Sequence, residues 1–509
     1  MVELKKFTRE EVSRHTAEED IWIIIDNVVY DMSKFIDMHP GGVFPILEYA
    51  GKDATEAFYG MHRQEVLLKY NRYKIGTLEG ETAQITIRQP GDNSKVPYAE
   101  MSAFLGYKSP YYNDSHFRYQ AGLRKICDEL KAEAQECDSA GDRPSDEFAK
   151  KLGQHHLLAA HVGPGPWLHN IILPGNVPGK EYDYFHDMIT HQEFARWGTS
   201  GLVAGLTGGM TISLPTILNY GKPALKEKLV PLLLSGEKRM SLAITEPYTG
   251  SDVASIRTNA KKVEGGYLVN GVKKWITTGR FANYFATAVK TEKGISMLLI
   301  ERQDGVETKA IKTAYSPSAG TAYVTFENVF VPDANLLGVE DQGFRVVLSV
   351  NFNHERFMLI AQSVSAARNA VEECFKWAMQ RKVFGKRLIE QPVIRNKLAK
   401  MIASVESCQT WTENIAYQMN HMNYAEQADK LAGPIGLLKY HATRMMHDVA
   451  DDACQIFGGR ALTKTGMGKY IEDLQRTYKF NAILGGSEEI MADLGVRQAI
   501  KKFPADARL

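Results

Sequence analysis

The chain is poor in cysteine and has almost no excess charge of either sign. Its five cysteines (Cys127, Cys137, Cys374, Cys408, Cys454) are scattered over 509 residues and form no C-x-x-C. That spacing favours a reducing interior over a disulfide framework and shows no cysteine-based metal site. With 61 basic against 60 acidic side chains and no concentrated basic stripe, nothing recommends a nucleic-acid partner. No uninterrupted run approaches the ~18 apolar residues of a membrane span, so none is expected. The opening "MVELKKFTRE" lacks the apolar core of a signal peptide. Neither G-x-G-x-x-G nor G-x-x-x-x-G-K-[ST] occurs, which excludes a Rossmann or P-loop device for holding a nucleotide. What remains is an ordinary folded composition, 44% hydrophobic and 24% charged, in a chain long enough for about three or four domains.

The texture changes along the chain. Residues 1–80 are compact in pattern, and "DIWIIIDNVVYDMSKF" gives two strand-like runs about an Asp26-Asn27 turn. Residues 81–115 read as a linker, opened by the polar "ETAQITIRQPGDNSKVP". Residues 116–236 are helical in period, as in "FRYQAGLRKICDELKAEAQEC". From 237 to 340 strand signals take over ("RMSLAITE", "GYLVNGVKKWIT", "AYVTFENVFV"), with Asn270-Gly271 expected to form a hairpin turn. Residues 341–503 return to long helices, broken by a glycine-rich stretch at 458–468. The tail, 504–509, ends Ala507-Arg508-Leu509, the small-basic-leucine form of a peroxisomal address. A peroxisomal location is therefore expected, or a cytoplasmic one if the tripeptide is not read.

"HPGG" at 39–42 reads by itself as a turn, but His62 closes a second helix in "FYGMHRQEV". Two histidines on facing pairs of short helices can clamp a flat ligand. With "WIIIDNVVYDMSKFIDMHPGGVFPILEYAGKDATEAF", the segment resembles cytochrome b5. That resemblance implies haem b, with His39 and His62 as axial ligands to the iron. Two protein ligands leave no open iron position, which suits electron transfer rather than oxygen activation.

In the larger part, "LAITEPYTGSDVAS" (242–255) and "VNGVKKWITTG" (269–279) gather hydroxyls, glycines and a tryptophan at strand ends, where they can meet a polar aromatic ring. With "QRKVFGKRLIEQPVIRNKLAKM" (380–401), "ACQIFGGRAL" (453–462) and "ILGGSEEIM" (483–491), these segments resemble the acyl-CoA dehydrogenase family across roughly residues 116–503. The implied fold is multidomain: a small α+β cytochrome b5-like domain, then a helical N-terminal domain, a β-barrel-like middle domain and a C-terminal helical bundle. The resemblance also implies FAD, with Thr245 and Ser251 at the flavin and the substrate path and with Trp275 and Thr277 flanking the reactive ring. Arg381, Phe384, Gln391, Gln455, Gly458 and Gly459 match the segments that grip the adenosine and pyrophosphate end across a subunit contact. A guanidinium suits that role because it forks onto phosphate oxygens. A homodimer or homotetramer is therefore expected.

"VVLSVNFNHERFMLIAQSV" (346–364) poses a separate problem. At helical spacing the Glu355 carboxylate shares a face with Leu348, Phe352, Met358 and Leu359. A charge there is costly unless paired or functional. On residues alone, an ion pair with Arg356 is the plain reading. The resemblance offers another. The family most often places its base in a Y-E-G-T motif, where this chain has Leu484-Gly485-Gly486-Ser487. Glu355 matches the position from which the long-chain and isovaleryl-CoA branches supply it. Gly485 would then lend its backbone N–H to the thioester oxygen, and Arg356 would support the base or meet the substrate. Glu488 and Glu489, at an expected helix N-terminus, are the alternative carboxylates.

The expected activity is dehydrogenation of an acyl-CoA to the 2-enoyl-CoA, with electrons passing to the fused haem, to an electron-transfer flavoprotein or to oxygen. Two alternatives stand beside it. One is a flavin oxidase acting on an acyl-CoA or a nitroalkane, and the other is a non-catalytic haem or flavin electron carrier. His155, His156, His161 and His169, with no carboxylate pattern near them in sequence, are expected to be ordinary surface or core histidines.

Overall fold

The computed structural model describes residues 4–85, 88–141, 143–344 and 352–507. Leu348, Arg508 and Leu509 lie outside them. The compact units do not follow chain order. One joins Met1–Gln89 to Glu373–Asn396 and Gln455–Glu472; the other takes Pro90–Glu372, Lys397–Cys454 and Asp473–Leu509.

In the first unit, Asp20–Ile25 and Val28–Asp31 pair antiparallel about a turn in which Asp26 takes φ 60°, as the sequence indicates. They lie in a five-stranded sheet with Lys5–Phe7, Lys74–Leu78 and Thr16–Ala17. Side chains alternate across the pleat. Ile21, Ile23 and Ile25 join Phe35, Ile36 and Ile46 in one core, and Ile24 joins Phe7, Val12, Val29 and Leu78 in the other. Short helices Thr55–Met61 and Glu65–Lys69 follow on the chain.

Arg63 ties this domain to the later segments of its unit. Its guanidinium forks onto Glu373 at 2.5 and 3.1 Å, reaches the Met467 carbonyl at 3.2 Å and stacks 4.6 Å over the Tyr470 ring. Both charged side chains are mostly buried, at 15% and 11% exposure. Removing one member of such a pair strands the other charge. Glu373→Gln is thus expected to lower the stability of this unit by about 3 kcal/mol. A denaturant titration of the full chain, followed by tryptophan fluorescence, reads the change; an unaltered midpoint would show that the pair contributes nothing.

The second unit carries an eight-stranded sheet. Its two longest strands, Gly266–Ile276 and Ala322–Pro332, pair antiparallel near one edge. Asn270-Gly271 is not a hairpin turn. It lies inside the strand Gly266–Ile276, at a register shift against the partner strand. The Asn270 side-chain oxygen accepts the Asn328 N–H at 2.8 Å. Gly271 takes φ 150°, and a Cβ there would come within 2.6 Å of Thr258. Asn-Gly is a turn dipeptide, but the same tolerance of unusual backbone and close approach serves a β-bulge.

The helices Asp114–Ala140, Tyr184–Ala195 and Ser200–Gly208 precede this sheet, and Phe352–Gln380, Pro392–Asn420 and Ala432–Phe457 follow it. Residues Phe185 to Phe194 are buried without a break, polar ones included. Arg124 binds the buried Glu100 at 2.9 Å, and Glu193 as well. The sequence suggested no membrane-length apolar segment. In the fold, Ser200–Tyr220 is long and apolar enough by composition, with 78% of its most apolar window buried inside the protein as in a core helix.

Candidate functional site

His39 follows the 3-10 turn Ile36–Met38, and His62 caps the helix Thr55–Met61. Their ring centres are 5.9 Å apart. Metal–imidazole bonds run about 2 Å, so two imidazoles sharing one ion put their ring centres about 6 Å apart. His39 Nδ1 lies 2.8 Å from the Gly42 carbonyl oxygen and His62 Nδ1 3.3 Å from that of Phe58. In each case the backbone holds the outer nitrogen and leaves Nε2 as the donor atom. A Cβ on Gly41 would stand 2.8 Å from the His39 ring, so glycine is what allows this close turn. Met38, Phe44, Met61 and Leu68 are exposed apolar side chains in the same domain, as expected where a flat apolar group is to be covered. The residues fit a bis-histidine haem.

The flavin-assigned segments of the second unit also come together. The Lys274 N–H donates to the Thr245 carbonyl at 2.8 Å, which sets the two motifs side by side. The strand Gly266–Ile276 bulges between Lys273 and Ile276, and Trp275 takes φ 64° with half its surface exposed. The bulge turns the indole outward beside the half-buried Thr277. Ser251 is exposed in the loop before Val253–Ser255. Glu246 and Lys273, both missed in the sequence, stiffen this corner. The buried Glu246 accepts from Lys273 Nζ at 2.8 Å and from the N–H groups of Arg257 and Thr258 at 2.6 and 2.9 Å. Burial pulls its carboxyl upward, but these hydrogen bonds outweigh it and the net shift is down. An exposed aromatic face with hydroxyls and backbone polar groups beside it fits an isoalloxazine ring.

In the first unit, Arg381, Phe384 and Gln391 lie on or beside the hairpin formed by Lys382–Val383 and Lys386–Arg387. Phe384, at its tip with φ 50°, is 95% exposed. Gln455, Gly458 and Gly459 are exposed around the end of Ala432–Phe457.

Glu355 and Gly485 are brought into contact although 130 positions separate them. Glu355 sits in the first turn of Phe352–Gln380 and is 5% exposed. Gly485 and Gly486 turn the chain between Lys469–Ile483 and Glu488–Lys501, with φ of 66° and 104°. A Cβ built on Gly485 would come 3.7 Å from the Glu355 carboxyl carbon. A side chain at 485 would thus start beside the Glu355 carboxyl, with Leu359 Cδ1 nearer still at 2.9 Å. Arg356 is engaged with the turn itself: its Nε donates to the Gly485 carbonyl at 3.0 Å and so pins it. Burial raises the Glu355 carboxyl above its ordinary range, against the pull of Arg356, Lys439 and His354. The alternative carboxylates are otherwise placed. Glu488 is buried and accepts the Thr443 hydroxyl at 2.9 Å, and Glu489 is exposed.

Lys439 belongs to this site and was not foreseen from the sequence. It is fully buried, and its ammonium donates to the carbonyls of Ala482 at 3.1 Å and Gly486 at 2.6 Å. Burial pushes it down to about 8, with Glu355 among the charges that favour its ionised form. The signal was present, since a lone lysine in "GPIGLLKYHATRMM" is as misplaced as Glu355. Lys439→Met leaves two buried carbonyls unpaired, at about 1–3 kcal/mol each. The variant is expected to melt lower and to lose several-fold in turnover with FAD retained; unchanged turnover would show that the turn holds without it.

Family models match nearly the whole chain. Models described as acyl-CoA dehydrogenase N-terminal, middle and C-terminal domains match residues 113–237, 241–329 and 341–500, and one described as a cytochrome b5-like heme/steroid binding domain matches 8–79. Acyl-CoA dehydrogenase apdG of Emericella nidulans is 37% identical over 431 residues, which are 82% of this chain and 98% of that protein. The mitochondrial isovaleryl-CoA dehydrogenase of Oryza sativa is 29% identical over 402 residues, 77% of this chain and 92% of that one. Among solved structures, an acyl-CoA dehydrogenase from Geobacillus kaustophilus superposes with a TM-score of 0.67 at 25% identity, over 77% of this chain and 100% of that one.

Proposed function

The chain belongs to the acyl-CoA dehydrogenase family, and from that premise we propose that it converts an acyl-CoA thioester to the 2-enoyl-CoA with Glu355 as the base. We further propose that the electrons leave through the haem of its fused cytochrome b5-like domain. When bound, FAD supplies the acceptor for the β-hydride and haem a one-electron acceptor.

The observation that carries this reading is the closeness of the Glu355 carboxyl to position 485, 3.7 Å from a Cβ built there. A base must reach the substrate's α-proton from one place in the pocket. A glycine at 485 vacates that place and Glu355 fills it. Water exclusion around Glu355 keeps its carboxylate poorly solvated and therefore basic. The Gly485 N–H donates to the thioester oxygen as charge develops there. Arg356 and Lys439 hold the carbonyls of that glycine turn, so the donor does not need to reorganise during the reaction. Trp275 and Thr277 would flank the flavin ring, with Thr245 and Ser251 at the flavin and the substrate path, and His39 and His62 would hold the haem. Phe384, Gln455, Gly458 and Gly459 offer exposed surface for a second subunit, and a homodimer or homotetramer is part of this reading.

Anaerobic titration of the purified protein with straight-chain and branched acyl-CoAs tests it. Branched chains belong in the panel because one relative is named for isovaleryl-CoA. Bleaching of the flavin followed by growth of the reduced-haem band is expected. No bleaching with any thioester would sink the dehydrogenation, and bleaching without haem reduction would sink the haem route alone, leaving an electron-transfer flavoprotein or oxygen as acceptor.

A further inference from the structure

A second buried constellation lies beside Glu355. Asp187 and His191 are one turn apart on Tyr184–Ala195, His354 stands in the first turn of Phe352–Gln380, and His161 follows Leu157–Ala160. Asp187, His191 and His161 are fully buried. One donor atom from each of Asp187, His191 and His354 lies within 4.8 Å of the other two. His354 Nε2 is 2.8 Å from Asp187 Oδ2, and His191 Nε2 is 3.4 Å from Asp187 Oδ1. The His161 ring centre is 5.0 Å from that of His191.

The fold leaves these groups unfinished. Among the described residues, Asp187 Oδ1, both ring nitrogens of His191 and Nε2 of His161 have no hydrogen-bond partner. His161 Nδ1 donates to the Leu157 carbonyl at 2.7 Å, so its Nε2 carries a lone pair. A similar set nearby, His116, Asp183 and His186, shows what a finished cluster looks like. There the Asn113 N–H donates to His116 Nδ1 at 3.0 Å, and His116 Nε2 meets Asp183 at 3.1 Å. His186 Nδ1 donates to Asp183 Oδ1 at 2.8 Å, His186 Nε2 meets the Ser115 hydroxyl at 3.2 Å, and Asn420 donates to Asp183 at 3.0 Å.

Buried polar atoms without partners are rare, and each calls for a water or an ion. His191 Nε2 faces Asp187 Oδ1 at 3.4 Å, long for a hydrogen bond, and His161 Nε2 and the second nitrogen of His191 add two lone pairs in the same buried space, a set of donor atoms that one ion can share. The buried carboxylate is met by imidazoles, His354 at 2.8 Å and His191 at 3.4 Å, with no lysine or arginine on it among the described residues, and a buried charge calls for an opposite one. Imidazole nitrogens with a single carboxylate oxygen are a zinc-type donor set. An i, i+4 pair on one helix face is the spacing at which a helix presents two ligands to one ion.

We propose that Asp187, His191 and His354 bind a divalent zinc-class ion. Asp187 and His191 are fully buried, so the site is structural rather than catalytic. It staples Tyr184–Ala195 to the turn that carries Glu355. The proposal is independent of the reaction assigned above, because its primary readout is metal content.

The purified full-length protein, dialysed against zinc and then against metal-free buffer, is expected to retain about one zinc per chain by elemental mass spectrometry, counted separately from haem iron. X-ray absorption at the zinc edge should show only nitrogen and oxygen neighbours, with the scattering pattern of imidazole. Stripping the ion with a chelator is expected to lower Tm by several degrees, restored by zinc. Asp187→Ala and His191→Ala should each bring the zinc count to background. Less than about a tenth of a zinc per chain in the unaltered protein would overturn the proposal. So would sulfur in the coordination shell, or a zinc count unchanged in both variants. If the variants fail to fold, the metal content and absorption spectrum of the unaltered protein decide.

Discussion

Glu355→Gln keeps its FAD and loses acyl-CoA-dependent bleaching, with the reductive rate falling about a hundred- to ten-thousand-fold, the usual contribution of a positioned base. Glutamine has the same shape and fills the same buried space, 5% exposed in the unaltered chain, so the surrounding packing survives. It accepts no proton at neutral pH, so the chemistry does not survive. If Glu355 were only a structural partner of Arg356, the variant would bleach at a near-normal rate; that result would remove Glu355 as the base. The geometry allows a stricter test. A side chain at 485 starts 3.7 Å from the Glu355 carboxyl carbon. Glu355→Gly combined with Gly485→Glu should therefore recover part of the lost rate. Recovery is expected to be incomplete for two reasons. The new Cβ meets Leu359 Cδ1 at 2.9 Å, and a φ of 66° is strained for any residue with a side chain. Stopped-flow absorbance of the flavin band measures all three proteins.

His62→Ala and His39→Ala each abolish the low-spin haem spectrum and any acyl-CoA-dependent haem reduction, while flavin bleaching continues. The size of this effect follows from the site's construction. Each imidazole is held by a single backbone carbonyl, from Phe58 and from Gly42, and the two rings face one another at 5.9 Å. The aromatic rings that pack on them, Phe35 on His39 and Phe58 on His62, cannot ligate iron in their place. A low-spin spectrum persisting in either variant would mean that the iron is not held by this pair. Loss of flavin bleaching together with the haem would point to a broader structural failure, which the FAD content and the melting curve would reveal.

Much of this architecture was legible in the chain itself. The isoleucines of "DIWIIID" alternate across a pleat, and they do so in the sheet. His39 and His62 were visible because each stands beside a helix end with a glycine or an apolar run next to it. Glu355 was visible because a carboxylate on an apolar face is too costly to be incidental. Local chemistry of this kind is written in neighbouring residues.

Other features were not legible, and each depends on contacts between distant segments. Asn270-Gly271 has the composition of a turn, but the strand Ala322–Pro332 captured it as a bulge. Lys439 was overlooked because its acceptors, Ala482 and Gly486, are backbone carbonyls more than 40 positions away, and a carbonyl has no signature in sequence. His161 is a buried core histidine, as expected, but its place 5.0 Å from the His191 ring, on the helix that also carries Asp187, came only with the fold. By itself the sequence determined the order of domains and the residue types that bear chemistry, because those follow from period and composition. Which of those residues share a site was decided only by the tertiary structure, since burial and donor geometry exist only once separate helices have packed.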